Sequence, residues 1–331
     1  MRMGWQCSGL RWPDGAPVLA WCRSPGRDGG PSGRNSGPSG RDSGPSGRDS
    51  GPSGRERRDS PLAYGRDLGF RAVGARRCAG ARGNACPVAA PIAGRSTGGQ
   101  CPECARLDRA HSVAADTVAD DPRTYRVYLA WFGPGMVKVG ITAEERGPAR
   151  LLEQGAVAFS WLGRGPLMAA RRTEELLRAA LGVPDRIPYA AKRAVRSALP
   201  VRAERAAEIE RLHAQAVALD GWPQSLERVG FVGFDHVEPF GLDGRGAAPA
   251  TGVVTELADG GVVSGRLVAA AGPDLHLATA DGGLVVLDTR LMRGWELVGA
   301  DMNGAGPAGG GGAVTVPVRD VSGGGVQDGL F

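Results

Sequence analysis

The stretch that decides the fold is YRVYLAWFGPGMVKVGITAEERGPARLLEQ, residues 125–154. Val127, Leu129 and Trp131 alternate with Tyr128 and Ala130, and Phe132 closes the run. Period-two patterning rich in aromatic and β-branched residues predicts a strand. Gly133-Pro134-Gly135 interrupts it with two residue types that favour turns. Met136, Val137, Val139 and Ile141 resume the pattern with Lys138 and Gly140 between them, so the two runs predict a hairpin. A glycine inside a strand marks close approach by another group, and Gly140 is read that way. After Thr142 the pattern turns helical and carries Arg150.

This order resembles the core of the GIY-YIG nucleases, in which two tripeptides on paired strands precede a helix with a catalytic arginine. Tyr128, in Val127-Tyr128-Leu129, stands at the tyrosine of the first tripeptide. Val139-Gly140 matches the end of the second, Thr142 the threonine that often follows, and Arg150 the helix arginine. Glu174, in RRTEELLRAAL, falls at the metal-binding glutamate. Two positions depart: Lys138 replaces the second tyrosine, as in a phage-type branch, and Gln154 replaces a common histidine. The resemblance covers about residues 124–182 and implies phosphodiester hydrolysis. Arg150 would hold the phosphate, since guanidinium matches it bidentately. Glu174 would hold Mg²⁺ or Mn²⁺, and Tyr128 would orient or activate water. Taken alone, the same residues also fit a half-buried strand, a solvated helix face and an acid on an amphipathic helix.

Upstream lies RRCAGARGNACPVAAPIAGRSTGGQCPECARL, with Cys78, Cys86, Cys101 and Cys104. The CPEC pair is a tight chelating knuckle suited to tetrahedral zinc. The first pair, spaced C-x7-C, is looser than usual. A structural Zn²⁺ held by all four cysteines is the leading reading. Buried thiols beside a chance CxxC, or a redox pair at CPEC, are the alternatives. Ala105, Leu107 and Ala110 recur at helical spacing after Cys104. His111 is a further candidate ligand. Cys7 and Cys22 read as small core residues.

The 331 residues carry a formal net charge of +5. Residues 26–59 contain seven arginines and five acids within a GPSGRDS-type repeat, so this segment accounts for +2 of that charge. With no large apolar residue, it cannot offset its ordering entropy and is expected to be disordered. The remainder is close to neutral, so local basic runs matter more than the total. Lys138, Arg171 and Arg172 are candidate nucleic-acid contacts. Arg164, and the run Arg186, Lys192, Arg193 and Arg196, could also track a phosphate backbone, although solvated helix faces look the same. No apolar run approaches 18 residues and the N-terminus lacks an apolar signal core, so no membrane partner is expected. A cytoplasmic location with reduced thiols follows.

Toward the C-terminus, residues 185–199 and 202–219 read as helices on either side of Pro200. Ala206, Ile209, Leu212, Ala216 and Leu219 form one apolar stripe, with Glu204, Glu208 and Arg211 facing outward. Short Val/Leu runs separated by DGG, AGP and DGG predict a small antiparallel β-barrel. His236 and His276 read as structural, and Trp295 as a packing plug. No aromatic stacking platform is visible.

The expectation is an α+β protein. An N-terminal hairpin (1–25) precedes a disordered repeat (26–60) and a segment (61–122) with a strand, Leu62 to Val73, that could return to the hairpin's sheet, then the four-cysteine zinc knuckle and a helix. A GIY-YIG-like mixed sheet with trailing helices (123–222), a barrel (223–300) and a disordered tail (301–331) follow. The whole arrangement is similar to an uncharacterised bacterial family of unknown function. The functional expectation is a nucleic-acid-binding protein with a nuclease-like, metal-dependent core. The alternatives are a non-catalytic binding module with a degenerate nuclease fold, and a scaffold engaging a protein partner through the barrel.

Overall fold

The computed structural model describes residues 5–23, 56–110, 121–184, 186–244, 248–300 and 314–321. Most of the Gly/Pro/Ser/Arg repeat, most of the Gly-rich tail and His111 lie outside these residues.

Strands β1 (Trp5–Arg11), β2 (Val18–Arg23), β3 (Arg57–Pro61) and β4 (Asp67–Val73) come first. The cysteine segment leads into helix α1 (Pro102–Ala110). The central unit runs β5 (Thr124–Gly133), β6 (Met136–Ala143), α2 (Ala149–Gln154), β7 (Ala158–Pro166) and α3 (Leu167–Leu181). Then follow α4 (Tyr189–Val195), α5 (Arg202–Ala218), β8 (Glu227–Arg228), β9 (Phe234–Asp235) and α6 (Val237–Phe240). The last strands are β10 (Gly252–Val254), β11 (Val262–Ala271), β12 (Asp274–Ala278), β13 (Leu284–Asp288), β14 (Glu296–Gly299) and β15 (Val318–Asp320).

These elements make an α+β fold with two sheets. The smaller, five-stranded sheet has the order β6-β5-β7-β8, with β9 also on β7. β5 is its central strand and is buried on both faces. Tyr125, Val127, Leu129 and Trp131 share an apolar cluster with Leu177 of α3 and Ile209 of α5. Tyr128, Ala130 and Phe132 pack on the other side with Leu151 of α2 and Phe159 of β7. Cover on both faces explains why the run carries so few polar residues. Glu208, expected to face water, instead accepts hydrogen bonds from Trp131 Nε1 (2.7 Å) and Gly135 N (3.0 Å). It thereby ties α5 to the β5–β6 turn.

The C-terminal strands do not close into the expected barrel. They belong to an open ten-stranded sheet of order β15-β10-β13-β12-β11-β4-β14-β1-β2-β3. Closure would require the outer strands of β10–β14 to pair with one another. Instead β4 pairs with both β11 and β14, and β1 takes the other edge of β14. The pairing is also not wholly antiparallel, because β10 and β13 run parallel. Residues 57–61, which include the end of the repeat segment, form edge strand β3, and Val318–Asp320 of the tail form edge strand β15. Both are short and carry charged residues, as suits an exposed sheet edge. One core unites this sheet: Cys7, Trp12, Leu19 and Trp21 from the N-terminus pack with Leu267, Leu275, Met292 and Trp295.

Candidate functional site

Tyr128 lies opposite Gly140 on β6 and Trp161 on β7. A Cβ at position 140 would stand 2.4 Å from the phenol oxygen and 2.5 Å from the ring Cζ, so glycine leaves the space that the ring occupies. The Tyr128 hydroxyl accepts a 3.0 Å hydrogen bond from the Gln154 side-chain amide. The Gln154 backbone carbonyl in turn accepts from Lys192 Nζ at 2.9 Å. Tyr128 is only 2 % exposed. Its pKa is raised, chiefly by burial and also by the charge of Glu174, against the opposing Gln154 hydrogen bond and the charges of Arg150 and Arg146. Arg150 and Glu174 therefore both lie within electrostatic reach of the phenol, although they come from separate helices. The Arg150 side chain is 45 % exposed, with the Glu153 carboxylate 3.9 Å away. Glu174 is half-buried on α3.

Lys138 pairs with Ala130, so it shares a strand face with Gly140 and Tyr128. Arg171 is half-buried and Arg172 exposed, both in the first half of α3. Arg186 is exposed, and Arg164, Lys192, Arg193 and Arg196 have internal partners. Arg164 pairs with Glu227 at 2.7 Å. Lys192 and Arg196 are buried at 5 % and 2 % exposure. Arg193 bonds Asp274 at 2.6 Å and Asp288 at 2.7 Å, and Arg196 bonds Asp274 at 2.6 Å. These three thus form no phosphate track: Arg193 and Arg196 join α4 and its following turn to β12 and β13, and Lys192 ties α4 to the end of α2. Asp274 is fully buried. Burial opposes its charge, but Arg196 and Arg193 hold its pKa below the ordinary value. Sequence reading missed this network because its partners stand about 80 residues apart and Asp274 looks like an ordinary turn acid.

The four cysteines form a second centre. Their Sγ atoms all lie within 4.8 Å of one another, and all four residues are buried. Cys86 and Cys101 Sγ are 3.9 Å apart. Zinc with Zn–S bonds of about 2.3 Å needs sulfur pairs separated by roughly 3.8 Å, so the set fits a tetrahedral ion. Burial raises the Cys78 thiol pKa, opposed by the Cys101 N–H donating to its Sγ at 3.1 Å and the Gly80 N–H at 3.4 Å. The backbone N–H of Ala90 helps lower the Cys86 thiol to about 7, while burial pushes Cys104 up. The long C-x7-C loop reaches the knuckle through a tight turn in which Ala81 and Asn84 exchange backbone hydrogen bonds. Gly80 permits it: its φ is +81°, and a Cβ would lie 1.8 Å from the Asn84 carbonyl oxygen. Helix α1 begins at Pro102, so Cys104 sits inside its first turn rather than before it. Arg76, which the sequence did not single out, anchors this loop. It is 2 % exposed and donates to the carbonyls of Arg293, Ala93, Ser96 and Arg290.

A family described as a protein of unknown function (DUF2797) matches residues 65–297. The chain belongs to this family. The match takes in the cysteine centre, the central sheet and β10–β13, ends within β14, and begins after β3. No curated protein and no solved structure matches. Among the described residues no helix is long and apolar enough to cross a membrane.

Proposed function

We propose that this member of the family binds nucleic acid, engaging a phosphodiester at Tyr128, Arg150 and Glu174, with a structural Zn²⁺ on Cys78, Cys86, Cys101 and Cys104. The observation that carries the reading is the phenol of Tyr128 held against Gly140 within electrostatic reach of Arg150, Arg146 and Glu174. Arg150 supplies a permanent charge that remains half-open to solvent, as a phosphate ligand requires. Lys138, Arg171 and Arg172 extend the same role along the backbone of the nucleic acid.

The same residues supply parts of metal-dependent hydrolysis. Glu174 belongs to no cluster of three or more metal-binding side chains among the described residues. One carboxylate suits Mg²⁺ or Mn²⁺ shared with substrate phosphates rather than held by the protein alone. Such an ion would offset charge on the phosphate. Burial keeps the Tyr128 phenol protonated at neutral pH. Because its oxygen accepts from Gln154, the phenol's role toward a phosphate oxygen or water would be that of O–H donor.

Gln154 favours a second reading, binding without cleavage. An amide cannot take a proton from water, and it stands where a histidine would be expected. Cleavage of labelled DNA and RNA in Mg²⁺ and Mn²⁺, with Glu174→Ala and Arg150→Ala alongside, separates the two. Cleavage abolished in both variants supports hydrolysis. Binding without cleavage by folded, zinc-loaded protein supports the second reading, and absence of both refutes the proposal.

A further inference from the structure

A cavity of about 240 Å³ lies between the N-terminal hairpin and the cysteine loop, and neither site described above uses it. Four arginines line it: Arg11 of β1, Arg57 of β3, Arg82 of the cysteine loop and Arg293 just before β14. Asp108 is the one acidic residue of the lining, and Trp21 forms part of the wall. Arg11 is already paired with Asp59 at 2.5 Å. Asp108 is occupied too, accepting from the Arg82 backbone N–H at 2.9 Å and from the Gln100 side chain. The guanidinium groups of Arg57, Arg82 and Arg293 make no ion pair or hydrogen bond among the described residues. Arg293 Nε is buried with no partner.

A guanidinium group that lines a cavity with no carboxylate or carbonyl of its own keeps donors open to an anion. Three uncommitted guanidinium groups against one satisfied carboxylate make the cavity cationic. Their planar donor forks match the oxygens of a phosphate group. We propose that this cavity binds a phosphate-bearing small molecule of mononucleotide size, its phosphate on Arg57, Arg82 and Arg293 and its base beside Trp21. Tyr128, Arg150, Glu174 and the cysteine sulfurs take no part in this site, so failure here leaves the proposed function standing.

The test is calorimetric titration of the full zinc-loaded chain with AMP, GMP, adenosine, inorganic phosphate and a short single-stranded oligonucleotide. AMP or GMP should bind and adenosine should not. Arg293→Gln and Arg82→Gln should each weaken binding about ten-fold or more, the scale of one lost charge-assisted hydrogen bond. Arg82 is exposed, so its variant should fold even if the Arg293 variant does not, and thermal melting checks both. Phosphate binding as tightly as AMP, and lost in the same variants, would keep the site and make phosphate its whole ligand. The proposal is overturned if none of the phosphate-bearing small molecules binds at millimolar concentration. It is equally overturned if both variants bind like wild type, or if only the oligonucleotide binds.

Discussion

Lys192 is a lysine held almost out of water. Its Nζ sits 3.8 Å from the centre of the Phe132 ring and 4.4 Å from that of Tyr189. Burial, then the charges of Lys138 and Arg196, lower its pKa to about 7. In the unfolded chain it titrates near 10.4. Between those values the unfolded chain binds the extra proton, so stability rises with pH through that window. Below about pH 7 the cost of burying the lysine is felt in full. Lys192→Met should therefore stabilise the protein at pH 7 by about 1–4 kcal/mol, the range seen when buried charges give way to apolar side chains. The gain should shrink toward pH 10, and urea midpoints at the two pH values check it. A gain independent of pH would contradict the account. Asp274 makes the opposite case. Asp274→Ala leaves Arg196 buried without its carboxylate and should cost about 3–5 kcal/mol, read by the same denaturation.

At the scale of elements, β5, β6 and α2 were legible because their signals are local. Alternation, the Gly-Pro-Gly break and the switch to helical spacing all lie within thirty residues of the sequence. The four cysteines were legible by chemistry, although C-x7-C hid the turn at Ala81–Asn84 that brings the loop back. β3 and β15 were not legible, because edge strands need few apolar residues and these are charged or flanked by glycine. Gly140→Ala should push the Tyr128 ring off β6, costing about 1–3 kcal/mol as overpacking does. Loss of the Tyr128–Gln154 hydrogen bond should appear as a shift in the tyrosine ring resonances. Purified reduced protein should contain one zinc per chain. Removing it with a chelator should lower the melting temperature and expose α1 and the cysteine loop to proteolysis, since zinc binding contributes directly to folding. Cys101→Ser should reproduce that change without chelator. Full stability of metal-free protein would contradict the zinc assignment.

At the scale of the molecule, the sequence indicated an N-terminal hairpin, a central hairpin and a run of C-terminal strands but not how they associate. Barrel closure and sheet extension use the same short strands with the same glycine punctuation. What separates them is the identity of the pairing partner, here β4 and β1, which the sequence does not encode locally. The link from α4 to the large sheet was equally hidden, because it runs through charges that read as surface residues until Asp274 is placed beside them. The family match covers residues 65–297 and names no activity, so the functional account rests on the site around Tyr128. The most direct test is binding of a fluorescently labelled oligonucleotide to wild type and Arg150→Ala at two salt concentrations. The account predicts saturable binding that weakens as salt rises, and a loss of about ten-fold or more in Arg150→Ala. Equal affinity of the two proteins, or no binding even at low salt, would contradict it.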